Sequence, residues 1–222
     1  MKTFFAFFTT LAVLTASVMA EAAKPKSPGL EPVLDVPGLP RVLIIGDSIS
    51  MGYTPPVRDL LKGKANVHRI PQNGGPTKLG VQKIDAWLGA TKRDVNHFNW
   101  GIHDLKFMPE GKRQVEPAEY EQNLRALVAK MKAAGAKLVW ATITPIPSGE
   151  LVPPRSFGDV AEYNATARRV MAENGVAIDD LNAAITPQLA TLQRPKDVHY
   201  APEGSDFLAR EVAKSLEAAL VK

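Results

Sequence analysis

A serine that could act as a nucleophile follows a short, unbroken apolar run of the chain. Residues 42–45 read Val-Leu-Ile-Ile, and Gly46, Asp47 and Ser48 come directly after them. A serine on a turn between a buried strand and a helix has its hydroxyl at the mouth of the sheet and its amide near a helix N terminus. Such a position suits acyl transfer through a covalent serine intermediate. The same serine could also serve only as the cap of the following helix.

A glycine pair follows the second apolar run, residues 67–70. The chain reads Asn-Gly-Gly-Pro-Thr from Asn73 to Thr77. The glycines let the backbone approach a neighbour closely, so an amide here could bind an oxyanion together with the amide of Ser48. A turn leading into a helix capped by Thr77 would explain the same residues.

Polar residues also cluster after the third run and before the last predicted helix. The first cluster reads Asn-Trp-Gly-Ile-His-Asp from Asn99 to Asp104, and the second contains Asp197 and His199. A lone histidine is more often a surface or core residue than a catalytic one. His199 nevertheless lies just before the last predicted helix, and we expect this position to place it at the same edge of the sheet as Ser48.

Five apolar runs predict five strands, which are residues 42–45, 67–70, 95–99, 138–143 and 176–178. Helical spacing lies between and after them, at about 77–88, 117–135, 159–173 and 203–220. This alternation predicts βαβ units and a three-layer α/β/α sandwich with a parallel sheet. Ligands of such sheets bind beyond the carboxyl ends of the strands, which is where most of the polar segments lie.

Composition and the N-terminal residues narrow the classes of protein and compartment. The chain has 222 residues and no cysteine, which excludes thiol catalysis and thiolate metal sites. The net charge of +4 is spread along the chain without a basic block, so we expect no nucleic-acid partner. Residues 1–20 predict a secretory signal peptide, residues 21–40 a Pro-rich linker and residues 41–222 one domain. We therefore expect a secreted or periplasmic protein without stable membrane insertion.

The four polar segments, taken in order, resemble the four blocks of the SGNH (GDSL) hydrolase superfamily. Gly46-Asp47-Ser48, the glycine pair, Gly101-x-His103-Asp104 and Asp197-x-His199 are the matching residues. The resemblance implies a flavodoxin-like sandwich with a five-stranded parallel sheet, and esterase or lipase activity that uses a serine nucleophile.

The resemblance also implies a role for each matching residue. Ser48 would be the nucleophile, His199 the general base and Asp197 the residue that orients the imidazole. The amides of Ser48 and Gly75 would bind the oxyanion. The family usually has asparagine where this chain has His103, so the third oxyanion donor would be His103 or, two residues before the glycine, Asn99.

The position of the acid also departs from the common family spacing. That spacing, Asp-x-x-His, would place the acid at position 196, where this chain has Lys196. Asp197 lies only two residues before His199, which leaves open a dyad without an acid.

The substrate is expected to be a small acyl ester, most simply an acetyl ester of a carbohydrate. Asp47, Trp100 and Arg155 are candidate substrate contacts, since an aromatic face stacks on sugars and a guanidinium binds acidic groups. Ester hydrolysis of this kind needs no cofactor, and the sequence contains no spaced set of ligands for a metal. The alternatives are a lysophospholipase or thioesterase, and a sugar-binding relative with impaired catalysis.

Overall fold

The computed structural model describes residues 27–156 and 158–221, so the predicted signal peptide lies outside the described residues. Within these ranges the strands are β1 Arg41–Ile45, β2 Asn66–Arg69, β3 Val95–Phe98, β4 Lys137–Ala141 and β5 Ala177–Asp179. The helices are α1 Ser48–Leu60, α2 Thr77–Leu88, α3 Pro117–Ala133, α4 Asp159–Asn174, α5 Leu181–Ile185, α6 Leu189–Leu192 and α7 Pro202–Leu220. Short 3-10 helices occupy Pro28–Leu30 and Thr186–Gln188.

The predicted fold class is confirmed. All four strand pairs are parallel, and the sheet order is β2-β1-β3-β4-β5. This is the flavodoxin-like order. The chain adds β2 on one side of β1 and then adds β3, β4 and β5 on the other side, so the order of strands reverses between β1 and β3. The carboxyl ends of β1 and β3 therefore flank the place where a ligand is expected.

The central strands β1, β3 and β4 are buried on both faces, and the two faces have separate hydrophobic cores. Leu43 and Ile45 of β1 point into one core, which also contains buried residues of α2, α3 and α4. Val42 and Ile44 point into the other, which contains buried residues of α1 and α7. The alternation of side chains along a strand therefore explains why an unbroken apolar run forms this sheet.

The fourth strand ends two residues earlier than the sequence predicts. Both backbone polar groups of Ile143 bond to the side chain of Asn164: the Ile143 amide donates to Oδ1 at 2.8 Å, and Nδ2 donates to the Ile143 carbonyl at 3.0 Å. A residue whose backbone bonds to a side chain in this way has left the strand ladder. The loop that follows β4 is thus fixed to α4 at its first residues.

Residues 35–40 lie against the edge of the sheet formed by β2. The Asn66 side chain accepts from the Val36 amide at 2.8 Å and donates to the Val36 and Leu39 carbonyls. Asp35 contacts both His68 and Arg41. Within residues 27–156 and 158–221, no helix has the length and apolar character that a membrane span requires.

Candidate active site

The turn between β1 and α1 places Ser48 at the first residue of a helix. Asp47 caps this helix, and its carboxylate accepts from the Ile49 amide at 2.9 Å. Amides of a first helical turn have no intrahelical acceptor, so the Ser48 amide is available to a ligand there. The positive end of the helix dipole also favours negative charge at this position.

Three side chains form a hydrogen-bonded row at this turn. Ser48 Oγ lies 2.7 Å from His199 Nε2, and His199 Nδ1 lies 2.6 Å from Asp197 Oδ1. Because a carboxylate only accepts hydrogen bonds, Nδ1 carries the proton and Nε2 is left to accept from the serine hydroxyl. The arrangement can therefore take a proton from Ser48 and stabilise the imidazolium that forms.

Asp197 reaches His199 despite the short spacing in the sequence, and it makes two hydrogen bonds to this residue. Its Oδ1 accepts from the His199 backbone amide at 3.1 Å as well as from the ring. Burial by itself would raise the pKa of Asp197, but the hydrogen bonds from His199 outweigh it and lower that pKa. Asp197 therefore stays ionised beside the imidazole, and the row contains an acid despite the departure from the common spacing.

The glycine pair brings a second loop against the serine turn. The Gly74 amide donates to the Gly46 carbonyl at 2.8 Å, and a Cβ on Gly74 would lie 2.7 Å from that oxygen. Gly75 has a φ of +57°, a conformation that favours glycine. Its amide donates to Asn73 Oδ1 at 2.9 Å, so an oxyanion at this amide would replace the Asn73 oxygen as its acceptor.

His103 and Asn99 differ in how their side chains are held. Asn99 Nδ2 donates to the Ala141 carbonyl at 2.7 Å, which fixes its amide against β4. The His103 ring makes no hydrogen bond within the described part of the chain. Burial lowers the pKa of His103, Asp47 opposes this, and the nearby Lys106, Arg155 and His199 lower it further. A neutral His103 has one N–H, which is free to bind a substrate oxygen.

Two of the predicted substrate contacts are wrong because their side chains are enclosed. Trp100 is only 1% exposed, packs against Gly80 and donates its indole N–H to the Gly74 carbonyl at 3.3 Å. It supports the glycine loop from below and offers no face to a sugar. Asp47 is 3% exposed, and its carboxylate caps α1. Arg155, in contrast, is partly exposed and donates to the Ile102 carbonyl at 2.8 Å, one residue before His103.

Arg69 is a positioning residue that sequence reasoning missed. One guanidinium nitrogen donates to the Gly46 and Asp47 carbonyls and to Ser50 Oγ, at 2.8, 3.0 and 2.8 Å. The other donates to the Ile70 and Gln72 carbonyls. Arg69 thus joins the serine turn to the loop that carries Gly75. An arginine at the end of an apolar strand was the available signal.

Asp104 holds the other side of the glycine loop, and it replaces Thr77 as the cap of α2. The capping position is Pro76, and Thr77 donates both its amide, at 2.8 Å, and its hydroxyl to Asp104 Oδ1. The prediction that Thr77 caps the helix is therefore wrong: a carboxylate from a distant loop accepts at this N terminus instead. This contact ties His103, the neighbour of Asp104, to the loop of Gly75.

The buried Asp104 should make the protein less stable as the pH rises. Burial raises its pKa from 3.8 to about 7, against the lowering effect of the Thr77 hydrogen bonds. Between about pH 4 and pH 7 the folded protein holds a proton that the unfolded chain has released, so the free energy of unfolding falls across this window. We expect Asp104→Asn to remove this loss, which is about 4 kcal/mol for a pKa raised from 3.8 to about 7, or roughly 12 °C in Tm.

Thermal unfolding of the wild type and of Asp104→Asn from pH 4.5 to pH 8 measures this difference. Asp59→Asn, which changes an exposed carboxylate on α1, is the matched control and should keep the wild-type slope. Parallel curves for Asp104→Asn and the wild type would show that Asp104 does not carry the pH dependence.

A parallel sheet with a Ser-His-Asp row at its carboxyl edge is an arrangement found in serine hydrolases. The sequence matches the model of the GDSL-like Lipase/Acylhydrolase family over residues 44–207. The chain belongs to this family and is a carboxylic ester hydrolase. No curated protein matches the sequence. Within the described residues, no group of three or more His, Cys, Asp or Glu side chains could hold a metal ion.

Solved structures of similar fold include several esterases. The acetyl xylan esterase AlAXEase is 18% identical with a TM-score of 0.69, and the match covers 79% of this chain and 99% of that chain. A lipase/acylhydrolase from Enterococcus faecalis is 19% identical with a TM-score of 0.70, covering 81% and 96%. Axe2, an acetylxylan esterase from Geobacillus stearothermophilus, is 23% identical with a TM-score of 0.65, covering 82% and 95%. At these identities the comparison shows a shared fold.

Proposed function

We propose that the protein removes small acyl groups, chiefly acetyl, from carbohydrate esters, with Ser48 as nucleophile. The observation that carries this proposal is the row Ser48–His199–Asp197, with contacts of 2.7 and 2.6 Å. These are hydrogen-bonding distances between a nucleophile, a base and the residue that orients the base.

In the first half of the reaction, Ser48 Oγ attacks the ester carbonyl while His199 Nε2 takes the hydroxyl proton. The oxyanion that forms accepts from the amides of Ser48 and Gly75 and from the His103 ring. The C–O bond to the alcohol then breaks, and His199 gives its proton to the leaving alkoxide oxygen. This step leaves an acyl group on Ser48.

In the second half, water replaces the alcohol. His199 takes a proton from the water as it attacks the acyl carbonyl, and the same donors bind the second oxyanion. The bond to Ser48 Oγ breaks, and the proton returns from His199 to that oxygen. The products are the free acid and the regenerated enzyme.

A small cavity at the serine supports a small acyl group. It measures about 120 Å³ and is lined by Ser48, His199, Gly52 and Ser205 among others. Clefts for drug-sized ligands measure about 300–1,000 Å³. A larger cavity of about 490 Å³ is lined mainly by residues of α4 and the loop after β4, and touches neither Ser48 nor His199. This cavity is too small for a long acyl chain, although its lining includes neither Gly75 nor His103.

Chain-length selectivity tests the proposal directly. We expect kcat/KM for acetyl nitrophenyl ester to exceed that for the octanoyl ester at least tenfold, because only the short chain fits the cavity. Acetylated xylo-oligosaccharides, followed by acetate release, test the carbohydrate part, and Ser48→Ala protein provides the background rate. A preference for octanoyl would instead support a lysophospholipase or thioesterase.

A further inference from the structure

Three cationic side chains surround the proposed catalytic row without a carboxylate partner. Lys106, Arg155 and Arg194 form no ion pair within 4 Å in the described ranges. Some arginines of the protein are paired: Arg113 lies 2.8 Å from Asp159 and Arg168 lies 2.6 Å from Asp180. Arg93 and Arg210 form no ion pair either within the described residues, so what distinguishes the three cations is their position beside the catalytic row.

Each of the three cations is joined through a backbone group to the site. The Lys106 amide donates to the His103 carbonyl at 3.3 Å, and the Arg194 amide donates to the His199 carbonyl at 3.0 Å. Arg155 Nε donates to the carbonyl of Ile102. Arg194 also lines the cavity that contains Ser48 and His199. The charges of Lys106 and Arg155 are near enough to His103 to lower its pKa, and the charge of Arg194 is near enough to Asp197 to lower its pKa, so they belong to the same rim as the nucleophile.

The carboxylates near these cations are already engaged. Asp47 caps α1, Asp104 accepts from Thr77, and Asp197 accepts from His199. Arg155 uses Nε and one terminal nitrogen on the carbonyls of Ile102 and Pro153. Its remaining terminal nitrogen makes no hydrogen bond within the described chain. Burial lowers the pKa of Arg155, and the carboxylates of Asp47 and Asp197, which lie near it without forming an ion pair, oppose this effect.

We propose that the substrate carries an anionic oxygen group close to the scissile ester, and that Arg155 and Arg194 bind this group with support from Lys106. A guanidinium binds carboxylate or phosphate through two parallel hydrogen bonds, which a neutral hydroxyl cannot form. For a carbohydrate ester, the group is the carboxylate of an acetylated uronic acid. This inference rests on the proposed function, since it concerns the alcohol part of that ester.

A matched pair of substrates tests the charge alone. Acetylated methyl glucuronoside with a free carboxylate is compared with the same compound as its neutral methyl ester, and acetate release is measured. We expect kcat/KM of the wild type to favour the charged compound about tenfold, the size of one charge-assisted contact. The preference should shrink as the ionic strength rises, because salt screens the attraction. Acetylated glycerol phosphate is the phosphate probe.

Variants then assign the preference to its residues. Arg155→Gln and Arg194→Gln should each reduce the charged-to-neutral ratio about threefold, because the two guanidiniums share the tenfold preference. Arg155→Lys should retain part of it, which separates loss of charge from disturbance of the loop. Arg210→Gln, an exposed arginine on α7 beside Phe207, is the control and should leave the ratio unchanged.

The outcomes distinguish this inference from the proposed function. Equal rates on the charged and neutral esters, unchanged in the variants, would overturn the anion site while leaving the ester hydrolase intact. Hydrolysis of neither compound, nor of the acetyl nitrophenyl ester, would overturn both. A preference for either anion supports the site, and the larger of the two preferences identifies carboxylate or phosphate as the group it binds.

Discussion

Replacing Ser48 by alanine is expected to lower kcat on an acetyl ester about a millionfold, because the acyl-enzyme can no longer form. The hydroxyl lies 2.7 Å from His199 Nε2 and has no substitute at the first turn of α1. A covalent fluorophosphonate probe should label the wild type once and Ser48→Ala not at all, as measured by intact-protein mass. The residual rate should then reflect only the oxyanion donors and binding.

Two further variants make this prediction specific. Ser215→Ala, on the same protein but in α7, should retain labelling and activity. The double variant Ser48→Ala/His199→Ala should lose little beyond Ser48→Ala alone, because residues that act as one unit are not additive. Labelling that persists in Ser48→Ala would show that another residue is the nucleophile. A wild type that neither hydrolyses acetyl esters nor reacts with the probe would support the sugar-binding alternative.

Replacing His103 by alanine is expected to lower kcat about a hundredfold with little change in KM. One oxyanion donor contributes about 3 to 4 kcal/mol, and the contact forms mainly in the transition state. The His103 ring has no partner within the described residues, whereas the Asn99 amide is already bonded to the Ala141 carbonyl. Steady-state kinetics on an acetyl nitrophenyl ester measure both constants.

The control for this prediction uses the family's own residue. His103→Asn restores a neutral donor and should recover much of the rate lost in His103→Ala. Asn99→Ala should affect Tm more than kcat, because its amide holds the end of β3 to β4. If Asn99→Ala alone lowers kcat a hundredfold, Asn99 rather than His103 is the third donor.

Regular elements could be predicted from the sequence where burial imposes a strong pattern. The central strands β1, β3 and β4 are short runs buried on both faces, and α2 and α3 have apolar residues at helical spacing. In α1, Pro55 and Pro56 argue against a helix of 13 residues. The helix forms because Tyr53 and Val57 join the same buried cluster as Leu208 and Val212 of α7. α5 and α6, with five and four residues, are too short to show a period.

The direction in which each side chain of the site points could not be predicted from the sequence. Trp100 and Arg155 were equal candidates for substrate contact, yet Trp100 is enclosed beneath the glycine loop and Arg155 lies at the rim. The partners of Arg69 and Asp104 could not be identified from the sequence, because they lie on other loops. Such contacts depend on loop geometry that no spacing rule describes.

The sequence by itself determined the class of fold and the residues available for chemistry. Apolar runs alternate with amphipathic helices, which places the polar segments at the carboxyl ends of parallel strands. Only the tertiary structure decided that Asp197 reaches His199 across a spacing of two and that the Asn99 amide is fixed against β4. The physical reason is that burial follows from the spacing of apolar residues along the chain. A hydrogen bond between loops instead requires two atoms from distant parts of the chain to lie within about 3 Å of each other.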